Sequence, residues 1–314
     1  MERIYDMIVV GAGPAGCTAA LYAARGGLTV LMLEKLSAGG QMTQTHLIEN
    51  YPGFADGVDG FTLAENMERQ AKRFGAEVRS AQVRALHLHQ NPKAVETDSG
   101  IFYAKTIVYA AGAVPKSLGL PGERALVGRG LSYCAACDGM FYRGKTVVVV
   151  GGGNTAAADA LLLSRVAAKV ILVHRRDTLR ADRLEFDRLR QAANVELRLN
   201  SEVTEFLAEQ TVTGVRVRNN VTGAEEIVAC DGVFLCVGRS PETTPLNGQL
   251  KLDAGGYIAA GEDTRTSIPG VYAAGDCRAK ALRQIITAAA DGAAAVHSSM
   301  EDIPRLGGEM ARQY

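Results

Sequence analysis

No apolar run in this 314-residue chain approaches the roughly 20 residues that a membrane-spanning helix needs, so none is expected. An excess of charge is missing too: 34 Lys and Arg stand against 34 Asp and Glu. Without a global basic surface, nucleic acid is not expected as a partner. Met1-Glu2-Arg3-Ile4-Tyr5-Asp6 leads straight into an apolar segment and leaves no room for a secretion signal, so a cytoplasmic protein is expected. Low-complexity segments and charged tails are absent. Cysteine is scarce, with six residues, which rules out a disulfide scaffold in a chain of this length.

What is present is a glycine fingerprint, and it occurs twice. Ile8-Val9-Val10-Gly11-Ala12-Gly13-Pro14-Ala15-Gly16 reads as strand, tight turn and helix start, and Val147 to Val150 followed by Gly151-Gly152-Gly153-Asn154-Thr155-Ala156 repeats it. Glycines in that context let the backbone approach a pyrophosphate at a helix N-terminus. The surrounding order is repeated as well. In the first unit a strand (Met7 to Val10) is followed by a helix (Pro14 to Arg25) and a strand (Thr29 to Glu34), and the unit closes at Ala111-Gly112-Ala113-Val114-Pro115. The second runs Thr146 to Val150, Thr155 to Ser164 and Lys169 to His174, and closes at Gly238-Arg239-Ser240-Pro241. Alternating strands and helices predict parallel sheets with ligands at the carboxyl ends of the strands.

The tail is too short for a third domain. It holds a short buried strand ending at Gly275-Asp276 and an Ala-rich helix from Gln284 to Met300, which together would complete the first sheet. The fold class is therefore α/β, with two Rossmann-like dinucleotide-binding domains, one inserted in the other. The expected domains are 1–115 with 245–314, and 116–244 between them. The two crossings, Val114–Ser117 and Ser240–Pro245, both contain proline. The loops from Ser37 to Asn50 and from Asn50 to Gly60 are expected to face ligand.

The second strand of each unit separates the two ligands. Glu34 follows Gly11 by 34 − 11 = 23 positions, and His174 follows Gly151 by 174 − 151 = 23. A carboxylate in this slot suits a ribose diol. His174-Arg175-Arg176 with Arg180 suits a 2′-phosphate, so NADP(H) is favoured in the second unit. A solvated basic helix start, extended by Arg180-Ala181-Asp182-Arg183, is the lesser alternative.

Cys134-Ala135-Ala136-Cys137-Asp138-Gly139 lies just ahead of the second fingerprint. Zinc would need two more ligands, and Cys230 and Cys236 have the wrong spacing, so no metal is expected. Cys17, Cys230 and Cys236 read as small buried hydrophobes, as does Cys277. A redox dithiol is the favoured reading of Cys134 and Cys137. Asp138 is either a proton donor and acceptor for it or a helix cap.

Taken in order, these motifs resemble the low-molecular-weight bacterial thioredoxin reductases; Gly39-Gly40-Gln41, Glu49-Asn50-Tyr51-Pro52-Gly53 and Arg283-Gln284 complete the set. The resemblance implies a homodimeric flavoprotein with FAD on the first unit, NADPH on the second, and thioredoxin or a thioredoxin-like protein as partner. It implies FAD contacts at Gly11, Gly13, Pro14, Ala15, Gly16, Glu34, Lys35, Gly39, Gly40, Gln41 and Asn50. Further FAD contacts are implied at Val83, Ala111, Gly112, Gly275, Asp276, Arg283, Gln284 and Ile285. NADPH falls to Gly151, Gly153, Asn154, Thr155, His174, Arg175, Arg176 and Arg180. In this family the second cysteine, here Cys137, receives electrons from flavin with Asp138 supplying a proton, and Cys134 forms the mixed disulfide. The chain departs from its relatives at Ala157-Ala158-Asp159, where they usually carry two acidic residues.

The dithiol shares a unit with the NADPH site while the flavin belongs to the other, so rotation about the crossings is expected. Other readings are a flavin reductase or oxidase with a different donor or acceptor, and a nucleotide sensor. The arginine cluster argues against a ferredoxin-linked reductase or an oxygen-using oxidase. A peroxidase-system reductase would be expected to carry an extra N-terminal redox domain, which this chain is read as lacking. A sensor would not need a transferable disulfide.

Overall fold

A computed structural model describes residues 3–310 except His46 and Asp182, and leaves out the side chains of Gln44 and 305–310. Two residues of the expected motifs, His46 in the Ser37–Asn50 loop and Asp182 in the Arg180–Arg183 run, therefore lie outside the described residues. The chain forms two compact units, one joining the stretch up to Val114 to the stretch from Ser240 onward, the other Pro115–Arg239.

The first unit is built on the strand Ile4–Val10, whose apolar end Met7–Val10 is buried on both faces. Val30–Glu34 and Gly100–Tyr109 flank it in parallel, with Val10 opposite Leu33 on one side and Tyr109 on the other. Val271–Ala273 joins the far side of Gly100–Tyr109. This register brings the carboxyl ends of four strands to one edge, where Gly11, Glu34, Ala110-Ala111-Gly112 and Gly275 emerge. Val83–His87 and Lys93–Thr97 extend the sheet as an antiparallel meander. Helix Pro14–Arg25 packs its alanine face on the sheet and against helix Ile285–Met310. That last helix runs beyond the expected Met300, because Asp302 takes Arg265 Nε at 3.0 Å and the Tyr272 hydroxyl at 2.8 Å.

The second unit repeats the plan. Thr146–Gly151 lies between Lys169–Val173 and Gly232–Cys236, all parallel, and Leu131–Ser132 adds an outer strand with Ser132 opposite Phe234. Helix Asn154–Ser164 covers one face through Ala156, Ala160 and Leu163. A three-stranded antiparallel sheet, Ser201–Ala208, Val212–Asn219 and Glu225–Ala229, covers the other through Val203, Phe206, Val215 and Val228. Within the first unit Glu242 N–H donates to the Gly112 carbonyl at 3.0 Å; within the second, Lys116 N–H donates to Gly238 at 2.9 Å.

Candidate active site

In the first unit the glycine turn is tight for steric reasons. Gly11 has φ +99°, and a Cβ on Gly16 would stand 1.8 Å from the Gly11 carbonyl oxygen. Helix Pro14–Arg25 therefore starts against the strand end, with Pro14 in the first turn. A Cβ on Gly13 or Gly112 would meet nothing within 4 Å, so the backbone there has room for a pyrophosphate. Glu34 closes the turn: its Oε2 accepts Ala12 N–H at 2.9 Å and its Oε1 accepts Leu36 N–H at 3.2 Å. Each oxygen keeps a second lone pair, which a ribose hydroxyl can use. These features fit a dinucleotide such as FAD.

The remaining first-unit residues gather around the same edge. Gly39 N–H donates to the Ala12 carbonyl at 2.8 Å, which brings in the loop of Lys35, Gly40 and Gln41. Asn50 Nδ2 donates to Gln284 Oε1 at 3.1 Å, joining residues 234 positions apart. Arg283 lies 4.0 Å over the Tyr257 ring, and its Nε reaches the Asp276 carbonyl at 3.4 Å. Ile285 packs on the cluster of Met42, Ile48 and Leu63. Val83 comes two residues after Ala81, whose N–H donates to the Glu34 carbonyl at 2.9 Å. Ala15 is buried below the turn, and Ala111 packs against the core.

Sequence reasoning missed Asp291, which sits in the middle of the Ala-rich helix. It is buried and accepts from Gly275 N–H at 2.9 Å, Lys280 Nζ at 2.7 Å, and Arg278 Nε and Nη2 at 3.0 and 2.7 Å. Burial pushes its carboxyl up, but the Arg278 and Lys280 hydrogen bonds outweigh that and hold it below the usual value. The Gly275-Asp276 turn is pinned from beneath.

In the second unit a Cβ on Gly153 would meet nothing within 4 Å, whereas one on Gly152 would stand 2.2 Å from the His174 ring. His174 thus lies flat against the glycine turn. Arg180 N–H donates to the Gly152 carbonyl at 2.6 Å, folding the basic loop of Arg175 and Arg176 back onto the same turn. Asn154 and Thr155 open the helix there, and both are exposed. Burial holds the imidazole below its ordinary pKa, helped by the charges of Arg180, Arg176 and Arg175. His174 Nε2 is buried with no hydrogen-bond partner among the described residues. An orphaned donor or acceptor among three guanidinium groups fits a phosphorylated nucleotide. Asp159, the residue left at the altered acidic pair, is taken up instead by Cys236, whose Sγ donates to it at 3.0 Å.

Cys134 and Cys137 form a disulfide with Cα atoms 5.3 Å apart, on the same sheet edge as Gly151, with the strand Gly232–Cys236 between them. Ser132, another residue missed, links the pair to Asp138: its hydroxyl donates to Asp138 Oδ2 at 2.6 Å and accepts Cys134 N–H at 3.0 Å. The Asp138 side chain makes no cap for the turn Gly139–Tyr142 that follows. The other cysteines, Cys17, Cys230, Cys236 and Cys277, are buried. Burial pushes Cys17, Cys230 and Cys277 up to about 12, which leaves them inert near neutrality. No metal-binding cluster occurs among the described residues.

Two glycine turns with a disulfide beside one of them match a family profile described as pyridine nucleotide-disulphide oxidoreductase over residues 5–292. The chain belongs to that family. A thioredoxin reductase from Treponema pallidum is 42% identical over 306 residues, covering 98% of this chain and 99% of that protein. One from Listeria monocytogenes is 44% identical over 306 residues, covering 97% and 96%. Among solved structures, thioredoxin reductase from Streptococcus pyogenes superposes with a TM-score of 0.90 at 41% identity, covering 97% of this chain and 100% of that one. The α/β fold with two dinucleotide-binding plans is thus that of this oxidoreductase family.

Proposed function

We infer that this protein is an NADPH-dependent thioredoxin reductase, acting through FAD and the Cys134–Cys137 disulfide. The observation that carries the reading is the placement of that disulfide on the carboxyl edge of the sheet that also presents Gly151 and His174. Bound FAD supplies two-electron transfer between nicotinamide and disulfide. Gly11, Gly13, Gly16 and Glu34 would hold its dinucleotide portion, and Asn50, Asp276, Arg283 and Gln284 would orient the rest. Asn154, Thr155, Arg175, Arg176 and Arg180 would hold NADPH at the glycine turn against which His174 packs.

Cys137 receives the electrons, and Asp138 delivers a proton as the sulfur–sulfur bond opens. The Cys134 thiolate then attacks the partner disulfide, and Cys137 closes on Cys134 to release the reduced partner. A homodimer in the cytoplasm belongs to this reading. So does rotation of Pro115–Arg239 about its two crossings, since nicotinamide and dithiol come from one unit and flavin contacts from the other.

The purified protein should be yellow and bleach when NADPH is added anaerobically. It should then reduce a thioredoxin with NADPH far better than with NADH, and lose that turnover as Cys134→Ser or Cys137→Ser. Bleaching with no thioredoxin-type acceptor would favour a flavin disulfide reductase with another protein partner, and indifference between NADPH and NADH would overturn the donor. A covalent crosslink between the units should stop full turnover while sparing one half-reaction; undiminished turnover would end the rotation proposal.

A further inference from the structure

We propose that Ser132 is the positioning residue of the redox centre, a hydroxyl that joins the Cys134 backbone to the Asp138 carboxyl and keeps both hydrogen-bonded in either protonation state of Asp138. Its catalytic meaning rests on the reading of Asp138 as proton donor given above.

Ser132 ends the outer strand Leu131–Ser132, where pairing with Phe234 fixes its backbone, and it is 4% exposed. A hydroxyl has one proton and two lone pairs. The proton has two acceptors within reach, Asp138 Oδ2 at 2.6 Å and the Cys134 carbonyl at 3.4 Å, while Cys134 N–H occupies one lone pair at 3.0 Å. With Asp138 ionised, the short bond is charge-assisted and favours the carboxylate. With Asp138 protonated, its own O–H can donate to Ser132 Oγ while the serine proton turns to the Cys134 carbonyl. No buried polar atom is stranded in either state.

Tyr142, in the next turn, has its phenol raised by burial and then by the Asp138 charge, and Lys145 lies 5.7 Å over the Tyr142 ring. The neighbouring helix presents Leu163 to Gly139, which is apolar. Reduction of the disulfide adds two electrons, which originate in NADPH, and converts the sulfurs to thiolates. One thiolate takes the Asp138 proton to become a thiol, leaving the carboxylate that Ser132 then holds.

The test is a carboxyl carbon-13 NMR titration of aspartate-labelled oxidised holoenzyme, with Asp138 assigned by its loss in Asp138→Asn. Ser132→Ala should raise the Asp138 midpoint by about one to two pH units, the loss of one hydrogen bond to a charge. Ser132→Thr, which retains the hydroxyl, should leave it near the wild-type value. An unmoved midpoint in Ser132→Ala would overturn the proposal. Should either variant fold poorly, the pH profile of turnover provides a second reading in soluble Ser132→Gly. Its displaced limb should vanish when Asp138→Asn is added, and a displacement that persists would also overturn the proposal. Thioredoxin turnover by the wild type is scored separately, so failure of the functional reading is distinguishable from failure of the Ser132 assignment.

Discussion

The Tyr133 hydroxyl donates to Glu123 Oε1 at 2.7 Å, immediately before Cys134. Glu123 is buried, and it also accepts the N–H groups of Leu118, Gly119 and Leu120 at 3.2, 3.0 and 3.4 Å. One carboxylate therefore ties the segment entering the second unit to the turn that leads from the strand Leu131–Ser132 into the redox pair. Burial and then the Glu123 bond push the Tyr133 phenol above its usual pKa.

Glu123→Ala should strip these donors of their acceptor in a buried place. The expected loss is about 2–4 kcal/mol, because each stranded donor costs its desolvation. Tyr133→Phe removes one donor only and should cost about 1 kcal/mol. Thermal unfolding of the second unit, followed by circular dichroism, should rank the variants in that order. Equal melting temperatures for Glu123→Ala and the wild type would contradict it.

The legible parts of this protein are those written in short-range pattern. Gly11 to Gly16 and Gly151 to Ala156 are strand-turn-helix punctuation, and the 23-residue offsets to Glu34 and His174 follow from one βαβ unit's length. Ser132, Glu123 and Asp291 were not legible because their roles depend on tertiary neighbours. Nothing near Asp291 in sequence says that Gly275 N–H, Arg278 and Lys280 converge on it. The far end of the last helix was missed for the same reason: Asp302 is held by Arg265 and Tyr272, 37 and 30 positions earlier. The antiparallel strands between Ser201 and Ala229 have no fingerprint, only alternation against a partner sheet.

Asp291 supports a prediction with a defined sign. Its folded pKa is depressed, so its contribution to stability is present above the unfolded carboxylate value and lost as pH falls through the folded one. At neutral pH, Asp291→Ala leaves Arg278 and Lys280 buried without their shared partner and should cost about 3–5 kcal/mol. Faster loss of flavin fluorescence quenching on dilution, together with a lower melting temperature, would be the signature. Retention of flavin at the wild-type rate would show that the Gly275 turn holds without it.

His174 gives a second pH dependence. The folded imidazole is held below the unfolded value of about 6.5, so the neutral ring stabilises the fold above that pH. That contribution falls away as pH drops from about 6.5 through the lower folded value, because the unfolded state takes up the proton first. Imidazole proton NMR should place the midpoint below 6.5, and 2′-phosphorylated adenosine nucleotides should raise it by bringing an anion to the ring. A midpoint indifferent to the 2′-phosphate would remove His174 from the nucleotide site.

Met140 and Phe141 are 49% and 45% exposed, three and four residues past Cys137. Two large apolar side chains held in water beside a disulfide are suited to burial under a docked protein. Phe141→Ala should raise KM for thioredoxin about tenfold, the equivalent of about 1.4 kcal/mol of lost apolar contact. The maximal rate and the anaerobic reduction of flavin by NADPH should change little, because neither involves the partner's surface. Steady-state kinetics with thioredoxin, set against reduction of a small aromatic disulfide by the same variant, separates docking from chemistry. If both substrates lost rate equally, Phe141 would be supporting the fold around Cys137 rather than receiving the partner.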